Sequence, residues 1–597
     1  MRTIGRRPAV CAALLAIAAL VVAAPVGAQT TKPVTFTVGD TQNIDSMNPI
    51  VGVTVPAYEA WNIQYATLTD KSAKDFSPIP GLATSWTSSA DKKTWTYTMR
   101  PNMKWSDGQP LTAEDVAYTI NRAKKEEWLN YTSVVANLTA KAESPTTLVV
   151  KTSVPDPKLP TLDMYVLPKH IWEKQDAKAV TKYPALDGVG SGPFTLEHFE
   201  KGQFARFKAN PYYFGGKPKV DRVILRGFDN PDAMVAALKR GEIDAAEDVP
   251  ATAFKQFEKD PSIQTVQGYQ GAMNEVAING GAGLKKPNAA LLDLRVRQAI
   301  AHAIDKKTIV NRVMAGLAKP ADTLSVSPNN EWSPQIPAEQ QLEFNLDKAK
   351  QLLDQAGYKD TNGDGIREMP GGGKPLKLRY AVRSEGDTAQ PTAELVTGWL
   401  RQIGIATTQK VYDDSRLTEV IGKGDYDLFS WGWTPFVDPD QMLSYFTCDQ
   451  VSSDPEDPTN YYNDANWCDK QYDALYKQQK VELDHAKRVD IVHQMLTRFY
   501  ESGTYDVLYV YPDLQAYRKN RFTGWTRQPE GTGPVLFTNS SPTYAKLAPV
   551  VAGASTGKSD DGGGSSGGLI AIIVAAVVVI GGLGVWAMRR RTVEDRE

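Results

Sequence analysis

The chain has 597 residues and a formal net charge of -2 at pH 7, with a pI near 6.3. At roughly 150 residues per domain, this length allows three or four domains and a large hydrophobic core. The nearly balanced charge excludes the strongly basic surface that is typical of nucleic-acid-binding proteins.

The N-terminus has the pattern of a secretory signal. Basic residues at the start precede an apolar run from Val10 to Ala24, and small residues up to Ala28 close the run. This pattern predicts residues 1–28 as a signal peptide that is cleaved after Ala28. An uncleaved anchor is the alternative, although the apolar run is short for a membrane span.

The next segment alternates between strands and helices. Thr35–Gly39 and Thr94–Arg100 have the side-chain alternation of strands. Thr112 and Asp115 have the spacing of a capping box, which predicts a helix over Ala113–Lys125.

Motifs in this segment and beyond it resemble those of one family. They are Gly81-Leu82-Ala83-Thr84-Ser85-Trp86, Trp105-Ser106-Asp107-Gly108, Gly190-Ser191-Gly192-Pro193-Phe194, Asn210-Pro211-Tyr212-Tyr213 and Leu238-Lys239-Arg240-Gly241-Glu242-Ile243-Asp244. In this order they are similar to the signature of the extracytoplasmic solute-binding proteins that serve peptide and nickel ABC importers. The resemblance runs from about Thr35 to Pro542 and covers nearly all of the secreted body.

The resemblance implies an α/β fold of the large, class II periplasmic-binding-protein type, with two lobes and two hinge crossings. The implied division is lobe I over 32–275 with an inserted subdomain at about 60–190, lobe II over 276–510 and a return to lobe I over 511–548. The first crossing is expected at Asn274–Asn279. Pro231 and Gly241 predict the start and the C-cap of one helix of lobe I.

An acidic loop begins like a calcium-binding loop. Asp360, Asn362 and Asp364 place oxygen side chains at alternate positions. The twelfth position is Gly371 instead of a bidentate Glu, so these residues with Glu368 form an incomplete calcium site. A solvated hairpin turn is favoured, because Asp, Asn and Gly are also the ordinary turn residues. No other cofactor is expected.

Arg383 follows a predicted strand over Leu376–Val382. The resemblance implies that Arg383 stands where dipeptide-binding relatives have the arginine that holds a peptide carboxylate. A guanidinium group can bind a carboxylate in bidentate fashion. The alternative is an exposed surface arginine.

The stretch from Tyr426 to Asp440 is the strongest candidate for a ligand site. Its apolar first half predicts a strand, and the prolines that follow predict that the strand ends just after Trp431 and Trp433. Ligands of open α/β sheets bind beyond strand ends, and a tryptophan pair beside carboxylates such as Asp438 suits an amphipathic ligand. Two core aromatics at a turn are the alternative.

This stretch departs from the peptide-binding pattern at one position. In the resembling peptide binders, an Asp three residues after the cleft tryptophan pairs with the amino terminus of the ligand. Here that position is Phe436. Asp438 or Asp440 would have to replace the missing acid, since a buried ammonium group without a counter-charge costs several kcal/mol.

Three cysteines occur in the chain. Cys11 is lost with the predicted signal, which leaves Cys448 and Cys468 as an even pair in an oxidising compartment and predicts a disulfide. Free thiols or a metal site are the alternatives, but no His or second Cys lies at metal-ligand spacing beside either one.

The C-terminal region predicts a membrane anchor. Residues 549–568 form a Gly- and Ser-rich tether, and the almost uncharged stretch 569–588 has the length of a transmembrane helix. Arginines at the start of the tail, 589–597, place this tail in the cytoplasm and the globular body outside the cell.

The sequence contains no recognisable catalytic constellation. None of its five histidines belongs to an H-E-x-x-H pair or is obviously partnered with a nucleophile. A protein without enzymatic activity is therefore expected, in which a monomeric body captures a peptide or another small polar solute. The permease and ATPase partners are implied by the resemblance alone. Alternatives are a binder of a nickel chelate or an oligosaccharide, a membrane-tethered sensor or adhesin, and an extracellular hydrolase.

Overall fold

The computed structural model describes residues 32–128, 130–384, 388–451, 462–540 and 542–550. Within these ranges, no helix combines the length and the apolar character that crossing a bilayer requires. The predicted signal peptide, the predicted transmembrane helix at 569–588, the cytoplasmic tail and nearly all of the tether lie outside the described residues.

The strands are, in chain order, β1 (Thr35–Asp40), β2 (Thr69–Lys71), β3 (Pro78–Pro80), β4 (Ala83–Ser88), β5 (Thr94–Met99), β6 (Leu138–Ser144), β7 (Thr147–Thr152), β8 (Phe194–Glu200), β9 (Phe204–Ala209), β10 (Arg222–Gly227), β11 (Ala245–Ala246), β12 (Ile263–Gly268), β13 (Met273–Ile278), β14 (Lys319–Pro320), β15 (Lys377–Arg383), β16 (Ala406–Tyr412), β17 (Leu428–Trp433), β18 (Tyr505–Val510), β19 (Asp513–Arg518), β20 (Phe522–Thr523) and β21 (Ala548–Pro549).

The α-helices are α1 (Val55–Gln64), α2 (Ala113–Lys125), α3 (Thr132–Val135), α4 (Lys169–Trp172), α5 (Pro231–Arg240), α6 (Ala251–Phe257), α7 (Leu294–Ala303), α8 (Lys306–Arg312), α9 (Leu346–Gln355), α10 (Ala389–Gln402), α11 (Asp414–Gly422), α12 (Asp440–Ser444), α13 (Lys470–Gln479), α14 (His485–Glu501) and α15 (Pro542–Lys546). The predicted capping box of α2 is confirmed. The Thr112 side chain accepts a hydrogen bond from the Asp115 backbone N–H, and the Asp115 side chain accepts one from the Thr112 backbone N–H. Gly241 ends α5 with a φ of 76°, as its C-cap position requires.

The first large sheet has seven strands in the order β12-β19-β11-β1-β10-β9-β8. β1 runs parallel to β10 and β11, and β19 returns antiparallel to β11 and β12. One face of this sheet shares a core with the four-stranded sheet β4-β5-β7-β6 and α2, through buried residues such as Phe36, Trp61, Tyr97 and Trp105. The predicted inserted segment is therefore packed onto the first sheet.

The second large sheet has six strands in the order β14-β18-β13-β17-β15-β16. Alternate residues of β13 and β17 enter two different cores, because successive side chains of a strand point to opposite faces. Val276 and Leu428 pack with α7, α9 and α10 on one face, whereas Ala277 and Phe429 pack with α11 to α14 on the other. Buried on both faces, β13 and β17 form the centre of the second lobe.

Two short crossings join the sheets. β13 lies wholly in the second sheet, so the first crossing is 269–272 and precedes the expected position at Asn274–Asn279. The second crossing is 511–512, and the Tyr511 backbone N–H donates to the Ala272 carbonyl at 2.7 Å. The hinge segments are therefore hydrogen-bonded to each other.

Candidate functional site

The crossings determine which edges of the two sheets face each other. Gly268 and Asp513 pair where the chain leaves and re-enters the first sheet. Met273 and Val510 pair at the corresponding end of the second sheet. Side chains at these two edges consequently line the space between the lobes, where ligands of open α/β folds bind.

The facing edge of the second sheet carries aromatic and basic side chains. Trp433 is the last residue of β17 and pairs with Met273, and Pro435 follows where the strand ends. Arg383 is the last residue of the parallel strand β15. Its guanidinium carbon lies 5.1 Å from the centre of the Trp431 ring, within the range of a cation–π contact. The structure thus brings Arg383, Trp431 and Trp433 together, while their role in ligand binding stays a prediction.

Two buried carboxyl groups lie behind this aromatic edge. Glu275 faces Trp431 across the strand pair and is 0% exposed. Neither of its carboxylate oxygens meets hydrogen-bond geometry with a described residue, and burial followed by the charge of Asp464 raises its pKa well above the usual range. Burial also raises the pKa of Asp464 to about 7, although the indole N–H of Trp433 donates to Asp464 Oδ2 at 3.1 Å. Near pH 6 Asp464 is therefore mostly protonated, and the protonated form of Glu275 is favoured by the same burial.

An aromatic ladder connects Trp433 to solvent. The ring centre of Tyr445 lies 5.0 Å from that of Trp433, and Tyr462 stacks on Tyr445 at 4.8 Å. Tyr462 is 52% exposed. Stacked rings of this kind present flat apolar surface with polar edges, which suits amphipathic ligands.

The residues after Trp433 are engaged within the protein. Asp438 accepts two hydrogen bonds from Arg488, each of 2.7 Å. Phe436, which occupies the position of the missing acid, is 49% exposed. Because the Asp438 carboxylate is already neutralised by a bidentate arginine, its geometry favours a structural ion pair over an amine-binding acid. Ligand contacts by Phe436 and Asp438 stay predictions.

Asp440 links the two lobes. Lys158, which immediately precedes a 3-10 helix packed in the first core, donates to Asp440 Oδ2 at 2.8 Å. Gln479 of α13 donates to the other oxygen of Asp440 at 2.9 Å. A second contact between the lobes joins the Asn329 side chain to the Asp75 carbonyl at 3.2 Å. These two contacts join the first lobe to the second.

The facing edge of the first sheet is acidic, which sequence analysis missed. Asp40 ends β1, Glu247 and Asp248 follow β11, and Asp513 begins β19. Since β1 and β11 are parallel and β19 returns antiparallel, all four residues reach the same edge. The only local signal was an acidic residue directly after a short apolar strand, which is common in loops.

The carboxyl groups of this edge have raised pKa values. Burial, followed by the charge of Asp248, raises the pKa of Asp40 to about 7. Burial is also the main cause that raises the pKa of Asp513 to about 6. Asp248 is exposed to solvent, yet burial raises its pKa as well. Burial is therefore the largest cause of the raised pKa values at this edge.

A pair of buried carboxyl groups, Glu59 and Glu247, lies beside Asp40 and Asp248. Glu59 of α1 and Glu247 are 3% and 4% exposed. Glu59 accepts hydrogen bonds from the Tyr544 hydroxyl and, at 3.3 Å, from the Phe537 backbone N–H. Burial and then the charge of Glu59 raise the pKa of Glu247 well above its usual range. The closeness of the two carboxyl groups therefore favours the protonated form of Glu247.

A model of the bacterial extracellular solute-binding proteins, family 5 (middle), matches residues 77–454. The chain belongs to this family. The oligopeptide-binding protein AppA of Bacillus subtilis is 28% identical to it over 443 residues, which are 72% of this chain and 78% of AppA. The nickel-binding periplasmic protein of Escherichia coli is 26% identical over 451 residues, 72% of this chain and 80% of that protein.

A solved protein structure shows the same fold. The crystal structure of NikZ from Campylobacter jejuni in complex with Ni(L-His) superposes with a TM-score of 0.69 at 23% sequence identity. The match covers 86% of this chain and 99% of NikZ. The predicted two-lobed solute-binding fold is confirmed for the described body.

The acidic loop of this family 5 protein has the geometry of a turn. Carboxylate oxygens of Asp360, Asp364 and Glu368 lie within 4.8 Å of one another. The Asp360 oxygens already accept two glycine N–H groups at 2.7 and 2.9 Å, and Asn362 donates to Glu368 Oε1 at 2.9 Å. These hydrogen bonds are those of a hairpin turn whose polar groups bond to one another. Calcium binding stays a prediction.

The predicted disulfide is confirmed. Cys448 and Cys468 are bonded, with their Cα atoms 4.6 Å apart. The Cys448 backbone N–H also donates to Asp473 of α13 at 2.9 Å. The bridge therefore fixes the start of α13 to the segment that follows α12, the helix that carries Asp440.

Proposed function

We propose that this protein is the substrate-binding component of an ABC importer, which captures a peptide or a similar small polar solute between its lobes and delivers it to a permease. Family membership supports the importer role, and the oligopeptide-binding AppA supports the solute class. The observation that carries the proposal is the grouping of Arg383, Trp431 and Trp433 at the edge that faces the other lobe.

Each group in this site has a distinct task. Arg383, stacked on Trp431, would orient its guanidinium fork toward a carboxylate of the solute. Trp433 and the ladder beyond it would contact apolar side groups. Closing of the lobes about the crossings would form the Lys158–Asp440 bond and exclude water from the solute.

Ligand recovery followed by titration tests this function. Native mass spectrometry of the purified chain should detect a bound small molecule, recovered intact after incubation. Arg383→Ala should weaken binding of that molecule at least about tenfold, because a charge-assisted bidentate contact is lost. Arg401→Ala, at an exposed position on α10, is the matched control and should leave the affinity unchanged. Equal affinity of the two variants would refute the role of Arg383.

We also propose that the apolar stretch 569–588 anchors the body at the outer face of the cell membrane. The proposal rests on the length of this stretch and on the arginines after it. Deleting residues 569–597 should release the body from the membrane fraction into the medium. Protease added to intact cells should digest the body of the undeleted protein.

A further inference from the structure

The indole N–H of Trp433 is bonded inside the second lobe. It donates to the Tyr505 hydroxyl at 2.8 Å and to Asp464 Oδ2 at 3.1 Å. The Tyr505 hydroxyl in turn donates to the same oxygen of Asp464 at 3.3 Å. The three side chains therefore form a closed ring of hydrogen bonds that includes the last residue of β17.

Asp464 is itself fixed by the segment that carries it. The Tyr426 hydroxyl donates to the Asp464 backbone carbonyl and accepts a hydrogen bond from the Asn466 side chain at 3.1 Å. The Asn463 side chain donates to the Thr447 carbonyl at 3.1 Å. An acceptor on an anchored backbone can orient its donor, because neighbouring hydrogen bonds hold the acceptor in place.

The bonded N–H determines which part of Trp433 is left for a ligand. An indole ring has one donor and no acceptor, so the remainder of its surface is apolar. Trp433 is half-buried, whereas Asp464 and Tyr505 are 9% and 3% exposed. A solute can therefore contact the Trp433 ring but not the two residues that hold it.

We infer that Asp464 and Tyr505 are positioning residues of the solute site, which fix the Trp433 ring by its N–H so that it offers the solute apolar surface without a hydrogen-bond donor. The solute group at Trp433 is accordingly apolar. A ring that is fixed before binding loses less side-chain entropy than a mobile one. This assignment rests on the proposed function in one respect, namely that Trp433 contacts the solute.

Two peptide probes test the apolar preference by isothermal titration calorimetry of the full chain. Trileucine and triserine have the same charged ends and differ only in their side groups. Trileucine should bind at least about tenfold more tightly, because Trp433 has apolar surface to offer and no free donor.

Variants of the two acceptors test the positioning role. Asp464→Ala should weaken trileucine binding about threefold to tenfold, because the Trp433 ring is then ordered only on binding. The loss should be smaller for triserine. Asp464→Asn keeps an acceptor oxygen and should retain most of the affinity, and Tyr505→Phe should have an intermediate effect. Asp490→Ala, at an exposed position on α14, is the control and should change nothing.

A double-mutant cycle distinguishes positioning from a general structural role. Trp433→Phe removes the N–H, which leaves Asp464 without the donor that it holds. In that background, Asp464→Ala should change the affinity for trileucine by less than about twofold. An equal loss in both backgrounds would overturn the inference, since Asp464 would then act independently of Trp433.

The N–H of Trp433 also gives a readout that needs no solute. The chain has 13 tryptophans, so the indole resonance of Trp433 in a chain with isotope-labelled tryptophan is assigned by its loss in Trp433→Phe. Exchange of this proton with solvent should be faster in Asp464→Ala and Tyr505→Phe than in the unmodified chain. Asp490→Ala should leave the exchange unchanged.

The possible results separate this inference from the proposed function. If trileucine binds Asp464→Ala and Tyr505→Phe as tightly as the unmodified chain, or no more tightly than triserine, the inference is overturned while peptide capture stands. If neither peptide binds the unmodified chain, peptide capture fails and proton exchange decides: faster exchange supports the fixed ring, and unchanged exchange overturns it. Should Asp464→Ala fail to fold, Tyr505→Phe takes its place in the cycle.

Discussion

On the second sheet's side of the cleft, Asp438 and Asp440 are paired with Arg488 and Lys158, at 2.7 and 2.8 Å. On the first sheet's side, the carboxyls of Asp40, Asp248 and Asp513 have raised pKa values and no cation among the main groups that act on them. The carboxyl groups at the two edges therefore have opposite electrostatic environments.

The difference between the two edges distinguishes carboxylates that stabilise the fold from carboxylates that destabilise it. A paired carboxylate contributes to the fold, and removing its partner leaves a buried charge uncompensated. An unpaired carboxylate in a recess lowers stability at neutral pH, and its retention is typical of sites that bind ligands. Substitutions should therefore have opposite signs at the two edges, which allows the comparison to be tested.

The largest effect is expected at the paired edge, from Arg488→Met. Arg488 is 4% exposed and donates to both oxygens of Asp438 and to Gln479. Its removal should lower the free energy of unfolding by about 3–5 kcal/mol, because a buried ion pair is broken on one side only. Guanidinium-induced unfolding measures the change.

Arg498→Met on the same helix provides the matched control. Arg498 pairs with Asp469 at 2.8 Å, but 42% of its side chain is exposed. An exposed pair contributes at most about 1 kcal/mol. If the two arginine variants lose similar amounts of stability, the distinction between a buried and an exposed pair at this edge is wrong.

The second largest loss of stability is expected from removal of the disulfide between Cys448 and Cys468. It closes a loop of 20 residues beside the helices that carry Asp440 and Gln479. Replacing both Cys448 and Cys468 with Ser should lower the free energy of unfolding by about 3 kcal/mol on the loop-closure estimate. Reduction of the unmodified chain should produce the same loss, and a thiol-labelling assay without reductant should detect no free thiol in the folded body.

The strand ends that carry Trp433 and Arg383 could be predicted, because the residues that mark them are local in the sequence. Two prolines after Trp433 fix the end of β17, and Arg383 follows a run of strand character. The capping box at Thr112 and the C-cap at Gly241 are also local patterns, and both are confirmed. Local signals of this kind need no knowledge of which strands are neighbours.

The acidic edge could not be predicted, because it is assembled from distant segments. Asp40 and Glu247 become neighbours only through the parallel order of β1 and β11, and Asp513 joins them through the return of β19. Likewise, the partner of Asp438 lies 50 residues further along the chain. A single sequence contains no mark of either pairing, so tertiary topology decides both.

At the acidic edge, Asp40→Asn should increase stability at pH 8. The pKa of Asp40 is raised from 3.8 to about 7 in the fold. The folded state thus binds more protons than the unfolded chain between these values, and stability falls as the pH rises through this window. Removing the charge should raise the free energy of unfolding at pH 8 by roughly 1–3 kcal/mol.

Thermal unfolding between pH 5 and pH 8 measures this effect. The unmodified chain should lose more stability across the window than Asp40→Asn does, whereas Asp232→Asn should follow the unmodified chain. Destabilisation of Asp40→Asn at pH 8 would mean that the carboxylate is satisfied within the protein, and the contrast between the two edges would fail.

The smallest change in stability is expected from Lys158→Met, which removes the ion pair between Lys158 of the first lobe and Asp440 of the second. The side chains of Lys158 and Asp440 are 32% and 12% exposed, and Gln479 still donates to Asp440 after the substitution. The free energy of unfolding should therefore fall by only about 1 kcal/mol. The larger consequence is conformational, because the bond joins a residue of each lobe and therefore stabilises the arrangement in which the lobes are close together. Small-angle scattering of the solute-free variant should show a larger radius of gyration than the unmodified chain, and addition of a tightly bound solute should restore the compact value. An unchanged radius without solute would show that the crossings and the Asn329 contact suffice to hold the lobes closed.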